Sequence, residues 1–460
     1  MARPNILLIY ADQHRFDCVG ANGHPLVETP NLDRLAREGL NFTQAHTPIP
    51  VCVPARNCFV HGQWSTRHLA IANHDTEAPR PPDPGLPTFG QVLREAGYAL
   101  GWVGKWHVHP HLGPTDPAYG FHTYIDEREY YSWRAQRGFP PRPRDVGWTG
   151  GLDPDVPPAA TRLAWGADQT LELLESLAHQ DEPFFIRWDP SEPHLPNVVP
   201  EPYASLYPPE AIAPWPSFPD PLVGKPYIQA QMRRTWGVAD WTWDQWAPIV
   251  GRYLGEIALL DAQIGRLLAA LDRLGLADNT LVVYSADHGD MCGGHGMVDK
   301  HFIMYDDVVR VPLLARWPAR IAPRGACDAF VSNAIDLAAT FCDVAGAPVP
   351  DTFQGQSLSP IFDGAPGNGR EDIFCVYHGN QFGLYSQRMV RDRRWKYVWN
   401  ATAEDELYDL NADPGEIRNL VSEVGCRAQR ERLQERLVAW MEQTGDRLLN
   451  SGTRAAMTAR

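Results

Sequence analysis

The sequence predicts an α/β protein in which a mixed, mostly parallel sheet is sandwiched by helices, with a smaller C-terminal α+β subdomain carrying a short antiparallel sheet. Three observations lead there. Continuous apolar runs such as Asn5 to Tyr10 and Thr280 to Tyr284 suit strands covered on both faces. Each run stops at a cluster of charged or imidazole side chains and alternates with helical patterns, the grammar of a doubly wound sheet. Beyond about residue 365 the chain turns to short alternating runs behind the linker Gly364-Ala365-Pro366-Gly367-Asn368-Gly369.

The first strand, Asn5 to Tyr10, delivers Ala11-Asp12-Gln13-His14 at its carboxyl end, the edge where open α/β sheets bind ligands. Thr29-Pro30-Asn31 opens a short helix that Gly39 ends, because glycine tolerates the left-handed cap. A Pro-punctuated loop, Thr47 to Pro50, leads into Cys52-Val53-Pro54-Ala55-Arg56 and a helical run through Val60. Pro54 is expected at the first helical position, where its missing N–H costs nothing, which puts Cys52 at the N-terminal mouth. Pro87 to Gly97 reads as a helix feeding a strand from Tyr98 to Val103, which ends in Gly104-Lys105-Trp106-His107. A helix over Thr161 to His179 precedes the strand Phe184 to Trp188 and then Glu192-Pro193-His194. Asp244 to Leu274 carries the helical apolar repeat Ile249, Leu254, Ile257, Leu260, Ile264, Leu267 and Leu271. It runs into the strand Thr280 to Tyr284, which stops at Ser285-Ala286-Asp287-His288-Gly289.

Between Asp126 and Trp246 the rhythm loosens into a Pro- and Trp-rich stretch, expected to be a substrate-covering insertion. The domain division expected is thus 1–365, catalytic, with 126–246 inserted, and 366–460 as the C-terminal subdomain. In the latter, Ile373 to His378, Phe382 to Arg388 and Arg394 to Trp399 suggest the antiparallel strands, and about Arg427 to Gln443 a terminal helix.

Composition narrows the partners. A formal charge of −15 over 460 residues argues against a nucleic-acid surface, though not against a local basic pocket for a small anion. No stretch reads as transmembrane, and the start of the chain lacks a signal-peptide pattern, so no membrane partner and a cytoplasmic location are expected. The eight cysteines (18, 52, 58, 292, 327, 342, 375, 426) show no C-x-x-C pair or zinc spacing, so reduced thiols are the default. Oligomeric state is left open, a homo-oligomer included.

Two features carry chemistry. At a helix mouth, backbone donors and the helix dipole favour an anion beside Cys52, and Arg56 adds a planar, permanently charged fork. Asp12 and Asp287 arrive from two strand ends of one sheet edge with Gln13 and His288 beside them, an oxygen-rich set suited to a hard divalent cation. Taken singly, each of these residues is commoner as a turn, a cap or a solvated charge; their convergence is what calls for a function.

Cysteine, proline and arginine at the spacing of Cys52, Pro54 and Arg56 resemble the type I sulfatase motif of the alkaline phosphatase superfamily, in which the cysteine is converted to formylglycine. The resemblance extends through Gly104-Lys105-Trp106-His107, Glu192-Pro193-His194, the segment Ser285 to Pro312 with Lys300, and Glu406-Leu407-Tyr408-Asp409-Leu410. It implies an alkaline-phosphatase-like fold and hydrolysis of sulfate monoesters to sulfate and an alcohol, such as a sugar, aryl or other small-molecule ester. By it, Asp12, Gln13, Asp287, His288 and modified Cys52 hold one divalent ion, calcium ahead of manganese or magnesium. Lys105 contacts sulfate, His107 acts at the formylglycine, and His194 and Lys300 face the leaving group. Arg56 orients the hydrated aldehyde, which attacks sulfur while Asp287 accepts its proton. A formylglycine-generating or equivalent maturation enzyme is the implied protein partner. Gln13 replaces a frequent second aspartate, Ala55 a commoner serine, and Val60-His61-Gly62 stands where Leu-Thr-Gly is frequent.

Asn73 matches an active-site asparagine of phosphonate-hydrolase relatives, so a phosphonate monoester or phosphodiester hydrolase with the same nucleophile is the nearest alternative. Lys105 and His107 favour sulfate. An inactive protein that binds sulfated ligands is the remoter alternative, and a two-zinc phosphatase would need a serine or threonine nucleophile that has no place here.

Overall fold

The computed structural model describes residues 3–74, 82–379 and 383–458. An eight-stranded sheet runs in the order Gly325–Ser332, Leu40–His46, Leu313–Arg316, Thr280–Ala286, Asn5–Ala11, Phe184–Asp189, Ala99–Gly104, Thr123–Asp126. Leu313–Arg316 is antiparallel to both neighbours; every other pairing is parallel. The mixed, mostly parallel sheet expected from the sequence is the one found. Its four central strands, 280–286, 5–11, 184–189 and 99–104, lie side by side, so their carboxyl ends form one continuous edge.

The helices Pro30–Glu38, Arg162–Leu177 and Trp243–Arg273 pack together, as do Cys52–His61, Phe89–Glu95 and Asn333–Val344. Phe59, Phe89 and Phe341, one from each helix of the second group, meet each other and Phe185 of the sheet, with edge-on contacts at 5.3 to 5.4 Å. Such buried rings dominate the local packing energy and fix the helix carrying Cys52 on the sheet. All ten residues of that helix are buried.

A second, antiparallel sheet of four strands follows: Ile373–Gly379, Tyr385–Arg391, Trp395–Asn400 and Glu406–Asp409, with the helix Arg427–Thr444 packed on its middle strands. Lys396 Nζ donates to Met304 O at 2.9 Å and pairs with Asp306 at 2.7 Å, and Tyr305 and Tyr408 share a hydroxyl contact at 3.3 Å. The C-terminal sheet therefore braces the segment that follows Lys300.

Several boundaries differ from the sequence reading. The helix at Cys52 starts with Cys52 itself, so Pro54 is its third residue instead of its first. It remains within the first turn, where N–H groups have no intrahelical partner, and its lack of a donor is still tolerated. The strand expected at Phe382 to Arg388 runs from Tyr385 to Arg391. Phe382 itself, like Met1 and Ala2, lies outside the described residues, and Gly383 at φ 106° precedes the strand in a conformation L side chains rarely adopt.

Candidate active site

At the carboxyl edge, backbone geometry aims the chemistry. Asp12 follows the strand Asn5–Ala11, Asp287 follows Thr280–Ala286, and Lys105 follows Ala99–Gly104. Gly104 is required at its position: φ is 104°, and a Cβ there would sit 2.2 Å from Asp189 O. The chain thus turns sharply and sends Lys105 back across the edge, where its Nζ meets Asp12 Oδ2 at 2.5 Å. His107 also takes a positive φ, 46°, and hydrogen-bonds the Cys52 sulfur, and its buried Nδ1 has no partner among the described residues.

Cys52 Sγ lies 3.7 Å from Asp12 Oδ1 and 3.2 Å from His288 Nε2. Asp12, Cys52, Asp287 and His288 each bring one donor atom within 4.8 Å of the others, and all four are buried. Two carboxylates, an imidazole and a sulfur in this geometry fit a divalent cation, since buried like charges need a counter-charge. Gln13 borders this cluster, its backbone N–H donating to Asp287 Oδ1 at 3.1 Å. Its amide nitrogen donates to Asp290 and to Asp299 at 3.2 Å, and its Oε1 accepts from Lys300 Nζ at 2.6 Å.

Arg56, wholly buried, donates through Nε to Asp287 at 3.1 Å and pairs with Asp189 at 2.5 Å and Asp12 at 3.3 Å. It fixes three carboxylates at the strand edge. Asp189 was missed, although it ends the strand Phe184–Asp189 at the same edge and carries the strand-then-carboxylate signal that singled out Asp12 and Asp287. Arg187 pairs with it at 2.6 Å and is itself caged by the rings of Trp102, Phe59 and Tyr10 at 4.1 to 4.7 Å. Asn73 Oδ1 accepts from Val53 N at 3.1 Å, capping the helix that begins at Cys52.

On the outer side, His194 Nδ1 donates to Leu195 O at 2.6 Å, which leaves Nε2 as the acceptor of Lys300 Nζ at 2.7 Å. Asp299 holds Lys300 at 3.3 Å.

The electrostatics follow from this packing. Burial would raise the Cys52 thiol, but Lys300, Lys105 and His288 outweigh it and hold it well below its usual range. Burial alone would discharge His288; the Asp287 and Cys52 charges instead push it up to about 9. Burial, followed by Lys105, lowers His107. Burial works against charge on Lys300 too, yet Asp299 and Cys52 raise its pKa. The pocket stabilises negative charge at residue 52 and keeps a neutral imidazole beside it.

A buried cysteine at a helix start, two carboxylates and an imidazole around it, and the charges of two lysines converge at one edge of the sheet. Two family models match: "Sulfatase" over residues 4–347 and "N-sulphoglucosamine sulphohydrolase, C-terminal" over 293–443. The chain belongs to the sulfatase family, the sulfuric ester hydrolases of the alkaline phosphatase superfamily. It is 28% identical to an arylsulfatase of Clostridium perfringens over 96% of this chain and 95% of the relative. It is 26% identical to an N-acetylglucosamine-6-O-sulfatase of Bacteroides thetaiotaomicron over 96% and 86%. Among solved structures, the phosphonate monoester hydrolase of Agrobacterium radiobacter superposes with a TM-score of 0.83 at 29% identity, covering 96% of each chain.

Proposed function

We propose that this sulfatase hydrolyses sulfate monoesters, R–O–SO₃⁻, to the alcohol and inorganic sulfate at a formylglycine made from Cys52 by a maturation enzyme. The observation that carries the proposal is the setting of Cys52: first residue of a buried helix, against Asp12, Asp287 and His288 on one side and under the charge of Lys105 and Lys300 on the other. The sulfur stands where the oxygens of the hydrated aldehyde would be.

Asp12, Gln13, Asp287, His288 and residue 52 would hold one divalent ion, calcium ahead of manganese or magnesium, and that ion would supply Lewis-acid stabilisation of oxygen charge. The protein's own groups do the remainder. Lys105 and Lys300 bind the sulfate oxygens on which charge gathers. Asp287 takes a proton from residue 52. His107, neutral and hydrogen-bonded to residue 52, takes the later one. Lys300 carries a proton that His194 Nε2 already accepts, so the pair is placed to protonate the departing alcohol oxygen. Arg56 positions Asp12, Asp189 and Asp287, and Gln13 positions Lys300. In this reading residues 1–365 carry the chemistry, 126–246 cover the substrate, and 366–460 brace the site.

The test is sulfate release from an aryl sulfate by matured protein, together with mass spectrometry of the peptide spanning Cys52. Release that tracks aldehyde content supports the proposal; robust release from protein bearing only the thiol overturns it. A second reading, phosphonate monoester hydrolysis with the same nucleophile, draws support from the likeness to the Agrobacterium enzyme and from Asn73 at Val53 N. The ratio of kcat/KM on an aryl sulfate to that on a phenyl phosphonate decides between them, and Lys105 and His107 favour sulfate.

A further inference from the structure

Beside Lys105 and His194 the site opens into a cavity of about 390 Å³. Every charged residue of its lining is basic: Lys105, Arg142, Arg144 and Arg162. The chain has 56 acidic against 41 basic residues, so a lining without one carboxylate runs against its composition.

Part of this positive charge is left uncancelled. Arg162 is neutralised from behind, with Nε on Glu192 at 2.9 Å and a second contact to Glu127 at 3.7 Å. Arg142 meets a carboxylate, Glu256, at 3.9 Å, beyond hydrogen-bond reach. Burial, then the Glu192 charge, pushes Glu256 up to about 8, so it is protonated at neutral pH. Arg144 is exposed and forms no ion pair among the described residues.

The arm that carries Arg142 and Arg144 is anchored at both ends. Arg134 pairs with Asp153 at 2.6 and 3.0 Å, both buried, and Gly151–Leu152 pairs in parallel with Val198–Val199. Arg142 also donates to Pro196 O at 3.4 Å. Arg142 is thus held in place before any ligand arrives, which lowers the entropy cost of binding one. Tyr131, 42% exposed, adds an aromatic face to the same cavity.

His194, which meets Lys300, lines this cavity, so it lies on the side where the alcohol leaves. The cavity of about 450 Å³ that shares Lys105 and contains His107 has a mixed lining, with Asp126 and Glu127 beside Arg128, and lacks the one-sided charge of the first.

We propose that the Arg142–Arg144 cavity receives an alcohol that itself bears a second anionic group, a carboxylate or another sulfate, on a ring that lies against Tyr131. The substrate is then at least dianionic. Arginine suits this task because its planar fork takes carboxylate and sulfate oxygens two at a time. The inference rests on the sulfate-ester reading for the direction in which the alcohol departs.

The test compares 4-carboxyphenyl sulfate and hydroquinone bis-sulfate with 4-carbamoylphenyl sulfate, a neutral isostere of the first. Matured enzyme should favour the two anionic esters by about tenfold in kcat/KM at low salt, less as ionic strength rises. Arg142→Gln with Arg144→Gln should bring the ratio close to one; Arg144→Gln alone, an exposed position, provides a folded check. A ratio near one in the unaltered enzyme, or one that survives both substitutions, overturns the proposal. Whichever anionic ester is preferred identifies carboxylate or sulfate as the second group. Failure of the sulfate-ester reading would appear separately, as no sulfate released from any of the three. The pocket is then still read by calorimetry of the same esters on Cys52→Ala protein: tighter binding of the anionic pair, lost with the arginines, supports it, and equal binding overturns it.

Discussion

The floor of the site and its wall are built on different principles. The floor, from Asp12 to Asp189 and Asp287, sits on strand ends, is wholly buried, and has each carboxylate tied to Arg56. The wall, from Arg142 to Gly147, is irregular chain pinned at a few points and partly open to solvent. The difference teaches a division of labour: a floor cross-linked by charge keeps reacting groups in place, while a loosely built wall can vary in charge and shape without disturbing them. Damage to the floor should remove turnover or folding; damage to the wall should change which ester is preferred.

The largest effect belongs to Cys52→Ala, which should reduce sulfate release by about four orders of magnitude or more, with the thermal midpoint near that of the unaltered protein. Next is Lys300→Ala. With His194 Nε2 stripped of its donor, kcat should fall by roughly 10²–10⁴, and most for esters of weakly acidic alcohols, which a series of substituted aryl sulfates would measure. Asp189→Asn breaks the floor from beneath, since Arg56 and Arg187 then share no counter-charge. A buried pair broken on one side costs about 3–5 kcal/mol, so the urea midpoint should drop together with kcat.

Much of the floor was legible in the sequence, and for a physical reason. Strands covered on both faces are continuous apolar runs, so Asn5–Ala11, Ala99–Gly104, Phe184–Asp189 and Thr280–Ala286 stood out, and the polar residues at their ends followed, Asp189 excepted. The strand Leu40–His46 did not, because Asn41, Thr43 and Gln44 break its apolar pattern. Leu313–Arg316 has only four residues, and Gly325–Ser332 is an edge strand with exposed positions in its first half. Within the site, the turn of Gln13 toward Lys300 was illegible. It depends on Asp290 and Asp299 meeting the same amide across the fold, with Gln13 and Asp299 both at positive φ. The wall gave least warning of all: Arg142 and Arg144 sit in a Pro-rich stretch whose charges acquire a direction only once Arg134 and Asp153 close the arm.

Beneath that wall lies the smallest predicted effect. Burial and the Glu192 charge raise Glu256 from a carboxyl value of 4.5 to about 8 in the folded chain. Between those values the folded state binds the extra proton, so this group's contribution to stability is complete below 4.5 and is lost as pH rises through about 8. Glu256→Gln keeps an oxygen for Asn197 and cannot ionise. It should leave the urea midpoint unchanged near pH 4.5 and raise it at pH 9, with kcat little altered.

The central claim, that residue 52 acts as an aldehyde and not as a thiol, is tested most directly by plotting specific activity against the aldehyde fraction of the Cys52 peptide in preparations matured to different extents. The account predicts a straight line through the origin. Full activity in protein whose Cys52 peptide retains its thiol would contradict it.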